Sequence, residues 1–202
     1  MEYWHDLITE KSWKILQQIK GRFKFILIGG WAVYLLARTQ KSKDIDIIVS
    51  LETLQKLKSI YELRKNDNLR KYEIKIDEID IDIYVPYYSR LAVPIESIEK
   101  QKIEGFDVAR SEELLILKQG AAEGRKHREK GEKDRIDIMS ILLKSGINYE
   151  RYKNILKKNK QEQLLADLIA LVKNFNEYKH FNMLPSEFKR KKIELLERLR
   201  KN

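Results

Sequence analysis

The chain has 202 residues, 36% of them charged, with a formal net charge of +10 and no cysteine. That length suits one or two small domains with a real core. The missing cysteine excludes disulfides and thiolate zinc sites, and no apolar run approaches the ~20 residues of a membrane span.

The N-terminal stretch MEYWHDLITEK carries acids and no apolar signal core, so a cytoplasmic protein is expected. Residues 4–20 place Leu7, Ile8, Trp13, Ile15, Leu16 and Ile19 at helical spacing, and Gly21 stops the helix. His5 has no partner of its own and reads as surface. Phe23 to Ile28 is a strand-length apolar run ended by Gly29-Gly30. Trp31 to Leu36 is apolar enough for a buried helix. Asp44 to Val49 forms a second strand, on which Asp44 and Asp46 share one face. Neighbouring carboxylates repel and resist burial, and a shared divalent metal is the usual reason to place them so. A glycine pair leading into a helix lets a phosphate approach free backbone N–H groups at the positive helix end.

Ser50 is a good N-cap for an amphipathic helix over 51–64. Asn66-Asp67-Asn68 is a turn. In 71–87, Ile74 and Ile76 alternate with polar residues, and after Asp77-Glu78 the phase shifts to Ile79, Ile81 and Ile83 alternating with Asp80 and Asp82. That shift predicts a hairpin turn or bulge. The plain alternative for this stretch is an edge strand whose acids only prevent aggregation. A Gly105 turn and a short strand over 106–109 follow. Ser111 opens a helix through Ala122 that carries Lys118 among Leu114, Leu115 and Leu117; such a lysine snorkels or meets an anion. Residues 123–133 are highly charged with two glycines and read as a mobile loop, with His127 at its surface. Helices are expected over about 149–159, 161–179 and 185–201, the last with Pro185 in its first turn. From Arg151 onward there are 14 basic and 6 acidic residues, or +8. This asymmetry suggests nucleic acid, against the bland reading of a solvated basic face.

Gly29-Gly30, thirteen intervening residues and the apolar-flanked Asp44-Ile45-Asp46 together resemble the nucleotidyltransferase superfamily that includes DNA polymerase β. Lys41-Ser42-Lys43-Asp44 stands where members often carry Arg-Thr-x-Asp. Lys118, Arg125 and Lys133-Asp134-Arg135-Ile136-Asp137 resemble the small AbiEii-like group, so the likeness covers about residues 23–145. It implies an α/β fold with a small mixed sheet, a nucleotidyltransferase domain over 1–145 and a basic helical subdomain over 146–202. It also implies a third acid on a strand beside the Asp-x-Asp strand. Asp80 and Asp82 both qualify, and Asp82 is preferred because it lies closer to the strand's end.

The implied reaction moves a nucleoside monophosphate from an NTP to an acceptor hydroxyl. Asp44 and Asp46 would hold two Mg²⁺ ions, one shared with Asp82, with Mn²⁺ as a substitute. Gly29, Gly30 and Ser42 would contact phosphates, and Lys118 would balance their charge. Asp134 and Asp137 are read as helix-capping or pairing acids, not metal ligands. Expected acceptors are tRNA or other RNA, or a protein; related small members also modify aminoglycosides. A partner protein in a toxin–antitoxin system is part of the same expectation. The rival reading is a non-catalytic nucleic-acid-binding or antitoxin-like module on the same fold.

Overall fold

Isoleucines at alternate positions decide the central layer. In the computed structural model, which describes residues 2–123 and 129–201, strands β1 (Ile26–Ile28), β2 (Ile45–Ile48), β3 (Arg64–Asn66), β4 (Lys71–Ile76), β5 (Ile79–Tyr84), β6 (Lys100–Ile103) and β7 (Phe106–Ala109) form a seven-stranded sheet in the order β3-β4-β5-β2-β1-β7-β6. The sheet is mixed: β1 runs antiparallel to β2 and parallel to β7, while β2 runs parallel to β5. The register aligns Leu27 with Ile47, Ile47 with Ile83 and Ile45 with Ile81, and Ile81 with Ile74. All of these are buried. Side chains alternate along a strand, so the opposite face receives a second row: Ile28, Asp46, Asp82 and Glu73 on four adjacent strands.

Helices α1 (Glu2–Lys20), α2 (Gly29–Ala37) and α3 (Leu51–Lys58) and a 3₁₀ turn (Ile95–Ser97) accompany the sheet in this part of the chain. α1 buries Ile15, Leu16 and Ile19, each worth roughly 1.5–3 kcal/mol of transfer free energy. Its Ser12 hydroxyl accepts the indole N–H of Trp31 from α2 at 2.8 Å, which satisfies a polar group that burial would otherwise penalise. Trp13 packs 4.9 Å from Trp31 and 5.7 Å from Phe106, ring centre to ring centre.

Three readings change here. The helix expected over 51–64 stops at Lys58, and Arg64–Asn66 pairs with β4 instead. Of its later apolar residues only Leu54 and Leu57 are buried and Ile60 is exposed, so burial does not hold the helix on, and the open edge of β4 supplies backbone partners. β5 is not an edge strand, because it lies between β4 and β2. β1 starts at Ile26 rather than Phe23, while the glycine pair ends it and leads straight into α2 as expected. The predicted hairpin does occur: Ile76 pairs with Ile79 around Asp77-Glu78, with Asp77 at φ 52°.

The chain divides into two compact units, Met1–Arg110 and Ser111–Asn202. In the second, α4 (Ser111–Glu123), α5 (Glu129–Lys144), α6 (Tyr149–Lys158), α7 (Gln163–Asn174) and α8 (Pro185–Arg200) bury Leu114, Leu115, Ile138, Met139, Tyr152 and Leu168. α4 and α5 thus belong to the same compact unit as the C-terminal helices. α5 starts at Glu129, so the charged stretch expected as a loop is helical in its second half, while Arg125 and His127 lie outside the described residues, as does the side chain of His5. α7 ends at Asn174, short of the expected 179, and a 3₁₀ turn (Tyr178–Phe181) follows. There Phe175, Phe181 and Phe188 pack together, and burying them favours folding the chain back over one long helix.

Candidate active site

Gly29 is the first residue of α2 and adopts φ +68°, a conformation that side-chain-bearing residues rarely take. A Cβ built there would stand 2.0 Å from an oxygen of Asp46. The Asp46 carboxylate therefore lies directly over the glycine backbone, at the start of a helix. Gly30 and Ser42 are buried.

Asp46 pairs in register with Asp82, one strand away. Adjacent strands are about 4.8 Å apart, so two carboxylates share a small area of the sheet face. Burial pushes the Asp82 carboxyl above its usual range, and Asp44 and Glu73 add to the rise, while Lys71 opposes it. Asp44 precedes β2 and is partly exposed. Asp80, the other candidate for a third acid, is exposed on the hairpin and stands 3.9 Å from Lys75. The structure thus brings Gly29, Asp46 and Asp82 together and sets Asp44 close enough to act on Asp82.

Lys71 was not singled out by the sequence reading. It is buried, and its ammonium lies 2.5 Å from Asp82 and 3.0 Å from Glu73. Burial disfavours the Lys71 charge, yet its hydrogen bonds to Asp82 and Glu73 win and hold its pKa above the usual lysine value. Glu73 is held below the usual carboxylate range by Lys71. A two-residue hairpin at Asp77-Glu78 would have revealed this neighbourhood, because it sets Glu73 opposite Asp82 and puts Lys71 one step along the same face.

Among the described residues, no group of three or more His, Cys, Asp or Glu stands ready to hold a metal. Mg²⁺ does not require one: it commonly binds through one or two carboxylates plus substrate phosphates and keeps several waters. Asp46 on β2, packed over a glycine at a helix start, and Asp44 just before that strand fit that demand.

Lys118 belongs to the second unit. The reading of an exposed lysine fails, because it is buried, with its Nζ 2.7 Å from Asp137 and 3.3 Å from Asp134. Those two acids cap no helix end: they lie one turn apart within α5 and turn to Lys118 on α4. The spacing of the Lys-Asp-x-x-Asp run signalled one helix face, but not which residue that face would meet. Nearby, Arg151 pairs with buried Glu112 and Glu113, and Glu112 accepts the Asn148 backbone N–H at 2.8 Å.

No protein-family profile and no curated protein matches the chain. Solved structures do. ANT(2")-Ia in complex with adenylyl-2"-tobramycin aligns over 77% of this chain and 98% of its own, at 16% identity and a TM-score of 0.53. A proposed nucleotidyltransferase from H. pylori aligns over 96% of this chain and 92% of its own, at 18% identity and a TM-score of 0.49. At such identities the likeness to ANT(2")-Ia is one of fold, and the chain has the mixed α/β fold of a nucleotidyltransferase.

Proposed function

We propose that the protein is a metal-dependent nucleotidyltransferase. The acceptor hydroxyl oxygen gives its proton to water and bonds to the α-phosphorus of an NTP, the bond to pyrophosphate breaks, and the acceptor leaves as a nucleoside monophosphate ester. The observation that carries this reading is the packing of Asp46 over Gly29 with Asp82 beside it in register. Asp44, Asp46 and Asp82 would hold Mg²⁺, which when bound neutralises phosphate charge and makes the acceptor hydroxyl more acidic. Backbone N–H groups at Gly29 and Gly30 receive phosphate oxygens at the start of α2, and Ser42 adds a hydroxyl. Lys118 is the phosphate-side charge that the resemblance implies; within its own unit it pairs with Asp134 and Asp137.

RNA, tRNA in particular, is the proposed acceptor, on the strength of the +8 balance after Arg151. The likeness of Lys118 and the Lys133-Asp134-Arg135-Ile136-Asp137 run to the AbiEii-like group is what supports a toxin–antitoxin partner. The test is incubation with α-labelled NTPs and Mg²⁺, with total tRNA, with a protein extract, or with an aminoglycoside. Label in RNA is expected, and Asp44→Asn and Asp46→Asn should abolish it. Label in protein or aminoglycoside would keep the reaction and change the acceptor. No transfer by the wild type, with RNA binding intact, would favour a non-catalytic module.

A further inference from the structure

Four carboxylates, those of Asp44, Asp46, Asp82 and Glu73, lie along one face of β2, β5 and β4 or just before it. A buried cation, Lys71, reaches into this row and is held 2.5 Å from Asp82 and 3.0 Å from Glu73. Lysine is rarely buried unless it is paired. Lys71 sits on the first residue of β4, where its long stem reaches along the strand to the acid two positions on and across to the next strand. A cation so placed draws on the same oxygens that a divalent ion would use.

We propose that Lys71 is a positioning residue that holds Asp82 in the metal-free protein and competes with a divalent cation for that carboxylate, so that Lys71 sets the metal affinity of the site. This rests on the nucleotidyltransferase reading above. Asp44 and Asp46 then take the ion, and Asp82 joins only as Lys71 yields it. That order keeps the carboxylate row folded before substrate arrives and ties full ligation to the cation brought in with the nucleotide. A purely structural ion pair makes a different demand: its loss would lower stability and leave metal affinity per folded molecule unchanged.

The experiment is Mn²⁺ titration of the full chain by calorimetry, without nucleotide. It compares wild type with Lys71→Met, Lys71→Gln, Lys71→Arg, and each neutral variant combined with Asp82→Asn. Removing a unit charge a few ångströms from the site should tighten Mn²⁺ binding about fivefold or more in Lys71→Met. Lys71→Gln, which keeps a hydrogen bond and guards against misfolding of the methionine variant, should behave alike. Lys71→Arg should stay within about twofold of wild type, and the gain should vanish in the Asp82→Asn background, as competition for that carboxylate requires. Binding that appears only in the neutral variants would support the inference equally. Unchanged affinity in folded Lys71→Met and Lys71→Gln would overturn it, and so would a gain that survives Asp82→Asn or no Mn²⁺ binding in any variant. Failure of the underlying reading looks different: Asp44→Asn and Asp46→Asn would bind Mn²⁺ as the wild type does.

Discussion

Gly29 shows how one missing side chain makes room for chemistry. Its φ of +68° and the 2.0 Å approach of an Asp46 oxygen to a built Cβ leave no space for alanine. A left-handed non-glycine residue costs about 1–3 kcal/mol, and here the carboxylate must also move. Gly29→Ala should therefore lower the melting temperature and remove nucleotidyl transfer together, read by calorimetry and label incorporation. Retained activity would show that Asp46 does not need its place over the glycine. Tyr152 offers a second test at this scale. Its hydroxyl donates to Gln119 at 2.7 Å, and burial drives its pKa well above the usual 10.0. Because the folded value exceeds the unfolded one, the stability it contributes is full below about pH 10 and falls as pH rises beyond it, since the unfolded chain ionises first. Tyr152→Phe should cost about 1–3 kcal/mol at neutral pH by leaving the buried Gln119 oxygen without its donor. It should also flatten the alkaline loss of stability in denaturant titrations. An unaltered slope above pH 10 would mean that another group controls it.

Among the elements, the α4–α5 pair depends on one buried charge cluster. Lys118 answers Asp134 and Asp137, both almost fully buried. Lys118→Met leaves two buried carboxylates without that ammonium and should destabilise the protein by about 3–5 kcal/mol. Lys118→Met with Asp137→Asn should recover part of the loss, because one of those charges is then gone. Equal stability of Lys118→Met and wild type in chemical denaturation would return the lysine to the surface. The same lysine is the proposed phosphate contact, so NTP binding is best compared between variants of matched stability. The β4–β5 hairpin teaches a related lesson. Its turn was legible from a phase shift in the isoleucine pattern. The pairing of Lys71 with Asp82 needed the register that the turn imposes.

Across the whole molecule, the +10 charge is concentrated toward the C-terminus. The C-terminal helices are not a detachable tail, because Tyr152, Leu156, Leu168 and Leu199 are buried. Deleting residues 151–202 would therefore unfold the second unit and test nothing about charge. Reversal of exposed charges is the cleaner probe: Lys189→Glu, Arg190→Glu and Arg198→Glu leave the apolar face of α8 intact. If this surface binds RNA, affinity should fall, and the dependence of log K on log salt should become shallower by roughly one unit for each phosphate the variant no longer neutralises. Unchanged affinity and slope would make the basic face ordinary solvated surface.

The amino-acid sequence by itself determined the parts that depend on local spacing: the strand–glycine–helix–strand order, the hairpin at Asp77-Glu78, the Ser50 and Pro185 helix starts, and the presence of helices after Ser111. These follow from side-chain period and backbone preference over a few residues. Only the tertiary structure decided what faces what. It set Asp82 rather than exposed Asp80 beside Asp46, moved Arg64–Asn66 from a helix to a sheet edge, and placed β5 inside the sheet. It turned Asp134 and Asp137 to Lys118, and Lys71 to Asp82. Each of these depends on strand order, register or the facing of two helices, which arise when distant segments bury apolar surface together and which no short window of sequence contains.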